Sequence, residues 1–349
     1  MNAKKRWLVI FCVVLLLSLG CMAAVVIIVD PFFQYHKPLE GFPYRIDNQL
    51  TQNPGIAMNF EYDSVLLGSS MITNFDTAVI DDYFGTDTVK LTYNAARPLD
   101  QDTILKIIEE HHGELNKVFL AIDIPTYARA VDERAYPLQE YLYDDNLLND
   151  VKYWWNKDVL LKYIVIPLLK GGEADDFHNL YNTAYDSQWY NQENVLRDYA
   201  PPLGIAGNPE NVKSNMEQHI IPYIESHPDT EYYVFFPPYS ILFWHSALLE
   251  DRMEEYLDRY ILITEMLLEY ENVRVFFFAG CGEIICNLNN YIDYSHYSRD
   301  VALYMTRCMA EGKEEITKEN YQEKIRALDK LAREVDYGQW GLQDVCTDK

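Results

Sequence analysis

The sequence predicts an α/β protein built on a doubly wound parallel sheet and carried behind a single transmembrane helix. Three observations predict it. Five short, nearly continuous apolar runs recur along the chain, the pattern of strands covered on both faces. Segments of helical periodicity separate them, and regular alternation implies a parallel sheet with helices on both faces and functional groups at the strands' carboxyl ends. Ahead of all this, Lys4, Lys5 and Arg6 lead into an uncharged, apolar run from Trp7 to Val29.

That run comes first. Its 23 residues would make a helix of about 35 Å, against a hydrocarbon core of about 30 Å. A cleaved signal peptide has an apolar core of only about 7–15 residues, so the run reads as an anchor. Lipidation at Cys21 is disfavoured because Leu17-Ser18-Leu19-Gly20 is out of register for a lipidation box. Basic residues stay on the cytoplasmic side of a span. Residues 1–6 are therefore expected in the cytoplasm, 7–29 across the cell membrane once, and 30–349 outside it as one domain.

The expected strands are Ser64–Leu67, Val89–Thr92, Val118–Ile124, Tyr232–Phe236 and Val273–Phe278. Between them, Phe75, Val79 and Tyr83 share one helical face, and Ile104, Ile107 and Ile108 share another. Leu248–Tyr270 reads as a single long helix. Beyond the last strand, Ser298–Ala310 and Thr317–Val335 read as helices, with Glu311–Glu315 a solvated linker. Residues 131–210 break the rhythm: they hold Trp154, Trp155, Trp189, ten tyrosines and phenylalanines, and an expected helix from Leu147 to Leu169. They read as an aromatic-rich insertion packed over the sheet.

Composition narrows the partners. The formal charge is −25; removing the +3 of Lys4, Lys5 and Arg6 leaves −28 on residues 30–349. Nucleic acid and anionic lipid both demand a positive face, so neither is expected as a partner of this part. Cys281, Cys286, Cys308 and Cys346 form neither a disulfide framework nor a zinc pattern. His111-His112 lacks a ligand set, and no metal or cofactor is expected.

Two short motifs carry chemistry. Gly68-Ser69-Ser70 follows the first strand and opens a helix, which puts a hydroxyl and free N–H groups above the sheet edge near a positive helix end. An esterase places its nucleophile and one oxyanion donor there. Past the last strand, Asp293-Tyr294-Ser295-His296 sets a carboxylate three residues before an imidazole. The chain can then turn back so that the carboxylate holds Nδ1 while Nε2 points across the sheet edge. Both motifs sit at strand carboxyl ends, where a doubly wound, flavodoxin-like sheet gathers functional groups.

Asp63-Ser64-Val65-Leu66-Leu67-Gly68-Ser69-Ser70 together with Asp293-x-x-His296 resembles the SGNH (GDSL-like) serine hydrolases, especially the membrane-anchored bacterial surface members of the D-alanyl-lipoteichoic-acid (DltD-like) kind. The resemblance spans about residues 60–310. It implies Ser70 as nucleophile, with Ser69 in place of the usual Asp, and His296 and Asp293 as base and acid. Tyr93-Asn94-Ala95-Ala96 resembles the second family block, which implies backbone N–H groups of Ser70 and Ala96 as oxyanion donors. Asp123 stands where the family usually has an Asn. An ionised Asp cannot donate to an oxyanion, so Asp123→Asn is expected to raise turnover by about 10²–10³ if the side chain faces the site. Asn94, Asp123, Pro238 and Tyr239 are expected to line the pocket.

Two functions follow. One is a serine esterase or acyltransferase working on ester-linked acyl groups, acetyl or D-alanyl, of a cell-envelope polymer. The other is a non-catalytic binding or assembly protein of the same fold, partnering an integral-membrane acyltransferase.

Overall fold

The computed structural model describes residues 3–144, 146–181, 187–204 and 207–343. The chain divides into two compact units, Met1–Phe60 with Pro137–Phe177, and Glu61–Tyr136 with His178–Lys349. The segment read as one insertion over 131–210 is thus shared between them.

In the first unit, helix α1 spans Ala3–Val29 and is long and apolar enough to cross a membrane. Its last carbonyls have no intrahelical donors, and side chains supply them. The Tyr44 hydroxyl donates to Val29 O at 2.6 Å, and His36 Nε2 lies 3.2 and 3.1 Å from the carbonyls of Ile27 and Ile28. Helix α2, Gln49–Asn59, was not legible in the sequence because it contains Pro54-Gly55, a pair that reads as a turn. Gly55 is needed there: a Cβ would meet the backbone of Phe32 and Phe33.

The helix expected over Leu147–Leu169 is broken into Val151–Trp154, a π-helical stretch Val159–Val165, and Ile166–Lys170. Asn156 causes the first break. Its side-chain oxygen accepts the N–H groups of Asp158 and Val159, competing with the helix ladder and restarting it. Pro167, with no N–H to give, falls where the π turn yields to the last helical piece.

The second unit holds the sheet. Among the described residues it has six strands: β1 Ser64–Gly68, β2 Thr88–Thr92, β3 Lys117–Ala121, β4 Glu231–Phe236, β5 Val273–Phe277 and β6 Glu315–Ile316. Their order is β2-β1-β3-β4-β5-β6, parallel except for the last pair. All five residues of β1 and of β2 are buried, as their apolar runs predicted. Helices α3, Thr77–Phe84, and α4, Pro98–His112, follow β1 and β2.

Three expectations change here. Strand β3 stops at Ala121, and Asp123 stands at the head of a short helix, Ile124–Tyr127. The single helix expected over Leu248–Tyr270 is two, Ile241–Leu249 and Met253–Leu267. Asp251 between them takes the left-handed conformation at φ 54°, which Asp tolerates better than most residues. The first of the two is apolar on nearly every face, so no stripe announced it. Finally, Glu311–Glu315 is not a solvated linker. Gly312 ends a helix at φ 70°, and Glu315 enters the sheet opposite Phe276, ion-paired to Arg274 at 2.5 Å. Cys281, Cys286 and Cys308 are free thiols, and Cys346 lies outside the described residues.

Candidate active site

Ser70 is set by the end of β1. Ser69 caps a 3-10 turn, Ser70–Ile72, and its Oγ accepts the Met71 N–H at 3.2 Å. The glycine before it is a packing requirement. A Cβ on Gly68 would sit 2.8 Å from Ile72 Cγ2 and 2.9 Å from Ala121 Cβ, closer than side chains approach. Gly68→Ala is therefore expected to cost about 1–3 kcal/mol through overpacking. A denaturant midpoint that stays at the wild-type value would contradict this.

Ser70 Oγ lies 2.8 Å from His296 Nε2, and His296 Nδ1 lies 2.7 Å from Asp293 Oδ2. The loop that achieves this is built by the Asp itself. Asp293 Oδ1 accepts the backbone N–H groups of Ser295 and His296, both at 2.7 Å, leaving Oδ2 for the ring. A backbone bridge between Tyr291 and Tyr297 closes the loop. With Nδ1 donating to the carboxylate, Nε2 is free to accept the Ser70 proton.

The electrostatics agree with that assignment. Burial pushes Asp293 upward, but the His296 ring and the two N–H groups outweigh it and hold the carboxyl at about 2. Burial pulls His296 down, while the hydrogen bond and charge of Asp293, with the charge of Asp123, leave it above its ordinary value. The side chains of His296 and Asp293 keep 39 % and 36 % exposure, so solvent and a substrate can reach them.

Residues that no motif pointed to join the two halves. Tyr297 donates its hydroxyl to Met71 O, Asn74 Nδ2 donates to Tyr297 O at 2.6 Å, and Arg299 pairs with Asp76. On β2, buried Lys90 donates to the carbonyls of Thr73 and Phe75, both at 2.7 Å, bracing the chain after the serine turn. Their signal in the sequence is only that Tyr297 and Asn74 adjoin the two motifs.

The remaining expected site residues sit differently from the expectation. Asp123 shows almost no surface, 4 % of it being exposed. It is buried beneath the serine turn, where Oδ2 accepts the Ser69 hydroxyl and Oδ1 accepts the Tyr239 hydroxyl at 2.7 Å. Burial raises its pKa, opposed by these two hydroxyls and by His296. Pro238 and Tyr239 are buried as well, and the Pro238 carbonyl accepts the Tyr291 hydroxyl at 3.0 Å. These three residues brace the serine turn and the loop that carries Asp293 and His296. Asn94 is exposed beyond β2. The Ala96 N–H closes a turn onto Tyr93 O at 3.2 Å, with Ala95 at φ 56°, so that donor is occupied. The Ser70 N–H heads its turn, ahead of the first intrahelical bond.

This placement reverses the expectation for Asp123→Asn. The carboxylate offers two acceptors to two hydroxyl donors, whereas an amide offers one acceptor and one donor group. A mispaired buried polar group costs about 1–3 kcal/mol, so the variant should be less stable and react more slowly, not faster. Thermal denaturation alongside labelling kinetics would check both halves.

No protein-family model matches the chain, and no curated protein matches it. The functional reading rests on the geometry.

Proposed function

We propose that this chain is a membrane-anchored serine esterase or acyltransferase of the SGNH (GDSL-like) kind, acting on ester-linked acetyl or D-alanyl groups of a cell-envelope polymer. The observation that carries the reading is the unbroken relay from Ser70 Oγ through the His296 ring to Asp293, at 2.8 and 2.7 Å. In this reading Ser70 attacks the acyl carbonyl, His296 takes its proton, and Asp293 stabilises the imidazolium. His296 then gives that proton to the departing alcohol oxygen as the ester bond breaks, and the acyl-enzyme passes its acyl group to water or to another polymer hydroxyl, deprotonated in turn by His296. Strand order supports it. The observed order β2-β1-β3-β4-β5 is the one expected of a flavodoxin-like doubly wound sheet, whose switch point would fall between β1 and β3, beside Ser70. Residues 7–29 would cross the cell membrane once, with Lys4, Lys5 and Arg6 cytoplasmic and the sheet outside, where the polymer is.

Fluorophosphonate labelling of the purified full-length chain tests this, because it reports an activated serine without needing the substrate. One feature favours a second reading, a non-catalytic assembly protein that partners an integral-membrane acyltransferase. Asp123 supplies no oxyanion donor and the Ala96 N–H is occupied, so the oxyanion would have few donors. Failure to label would favour it.

A further inference from the structure

We infer that residues 147–170 form a second membrane element, lying in the lipid interface against the distal half of α1. The inference rests on the reading that α1 crosses the membrane and is independent of the catalytic one.

The first argument is depth. The Trp155 indole N–H donates to Leu19 O at 3.1 Å. Leu19 is ten residues before Val29, so Trp155 reaches about 15 Å back along the helix from its end. The contact is held by a polar clamp at that end. Buried Asp30 accepts the Tyr153 hydroxyl at 2.9 Å, and the Tyr35 hydroxyl donates to Asp150 at 2.7 Å. Val26, Phe32, Tyr153, Val159, Tyr163 and Ile164 pack into one apolar cluster around it.

The second argument is length. Along α1 every residue from Trp7 to Ser18 is exposed, and coverage begins at Leu19. Those twelve residues rise only about 18 Å, short of a hydrocarbon core of about 30 Å. The covered stretch must therefore also lie at membrane depth, and whatever covers it lies there too.

The third argument is what the covering segment shows outward. Leu148, Leu161, Ile166, Leu168 and Leu169 are exposed, Leu148 and Leu169 by 86 % and 81 %, along with Trp155. Beside them stand Lys152, Lys157, Lys162 and Lys170, all exposed, against Asp150 and Asp158. Lys162 is paired with Asp47 at 3.0 Å, so four lysines less three aspartates leave +1 in a chain whose net charge is −25. An apolar face flanked by lysines suits acyl chains below anionic headgroups, with the lysine stems reaching up to them. Anionic lipid, excluded for the domain as a whole, is matched locally.

Indole quenching tests this with the purified full-length chain in vesicles of acyl-brominated phosphatidylcholine and phosphatidylglycerol. Leu169→Trp adds an emitter at an exposed site without disturbing the core, and Trp7→Phe isolates emission from the span. The added indole should be blue-shifted and lose most of its emission. Unquenched, red emission from it, with Trp7 quenched, would overturn the inference and leave the anchor intact; this is also the result if a protein partner normally covers the face. An unquenched Trp7 would overturn the anchor itself. Replacing phosphatidylglycerol by neutral lipid should weaken quenching of the added indole, and equal quenching would overturn the role given to the lysines.

Discussion

Ser70→Ala is expected to abolish fluorophosphonate labelling and reduce deacylation to background while leaving the fold intact. The reason is that, among the described residues, Ser70 Oγ is the hydroxyl held at His296 Nε2, at 2.8 Å. Ser69 Oγ is the nearest in sequence, but it is buried, bonded to Asp123, and already accepts the Met71 N–H. Ser295 Oγ is near the ring but on the wrong side, donating to Asp293 at 3.1 Å and lying 3.3 Å from Nδ1. Neither can be deprotonated by Nε2. Stability should change little, since one partly exposed hydroxyl contributes about 1 kcal/mol at most. Full activity of the variant on an acylated polymer would end the esterase reading. A Ser70→Ala strain indistinguishable from wild type, beside a deletion with a phenotype, would leave the assembly function.

Much of the sheet unit was legible because its signals are local. Five apolar runs become β1 to β5 within a few residues, and parallel alternation follows from the helices between them. The triad residues were legible because Gly68-Ser69-Ser70 and Asp293-x-x-His296 each combine a turn with a functional side chain. What failed depends on distance. Ser69, Asp123 and Tyr239 come from three separate segments, and only the fold makes them one buried network. From sequence, Asp123 could be judged only by the Asn it replaces, which pointed it toward an oxyanion instead of toward two hydroxyls. The same holds for β6, where a charged Glu315 is stabilised by an Arg274 forty-one positions away. Segment 147–170 shows the opposite failure. Its apolar periodicity was visible, but Asn156 and Pro167 outweighed it locally, and within its own unit Trp155 reaches α1, a contact no local pattern announces.

Asp293→Asn should lower the rate of labelling and turnover by about 10⁴ if the Asp acts as in the serine-protease triad. The mechanism lies in the tautomer. An amide oxygen can keep the Ser295 and His296 N–H bonds that Oδ1 now makes, but the amide NH₂ then faces Nδ1. Two donors cannot meet, so the ring shifts its proton to Nε2 and presents a donor to Ser70 where an acceptor is required. The pH profile separates this from simple loss of packing. The base works only when neutral, and Asp293 holds the His296 pKa above its ordinary value, so the wild-type acid limb should lie above that of a free histidine. Removing the carboxylate takes away the main upward influence and leaves burial, which pulls down, against the weaker one of Asp123. The limb should therefore move to lower pH while the plateau falls. Asp293 itself, at about 2, stays ionised across that range and adds no limb of its own. Labelling rates measured across pH for both proteins, with circular dichroism as the structural control, decide it. A fallen plateau with an unmoved limb would mean that Asp293 shapes the loop without setting the proton affinity of His296.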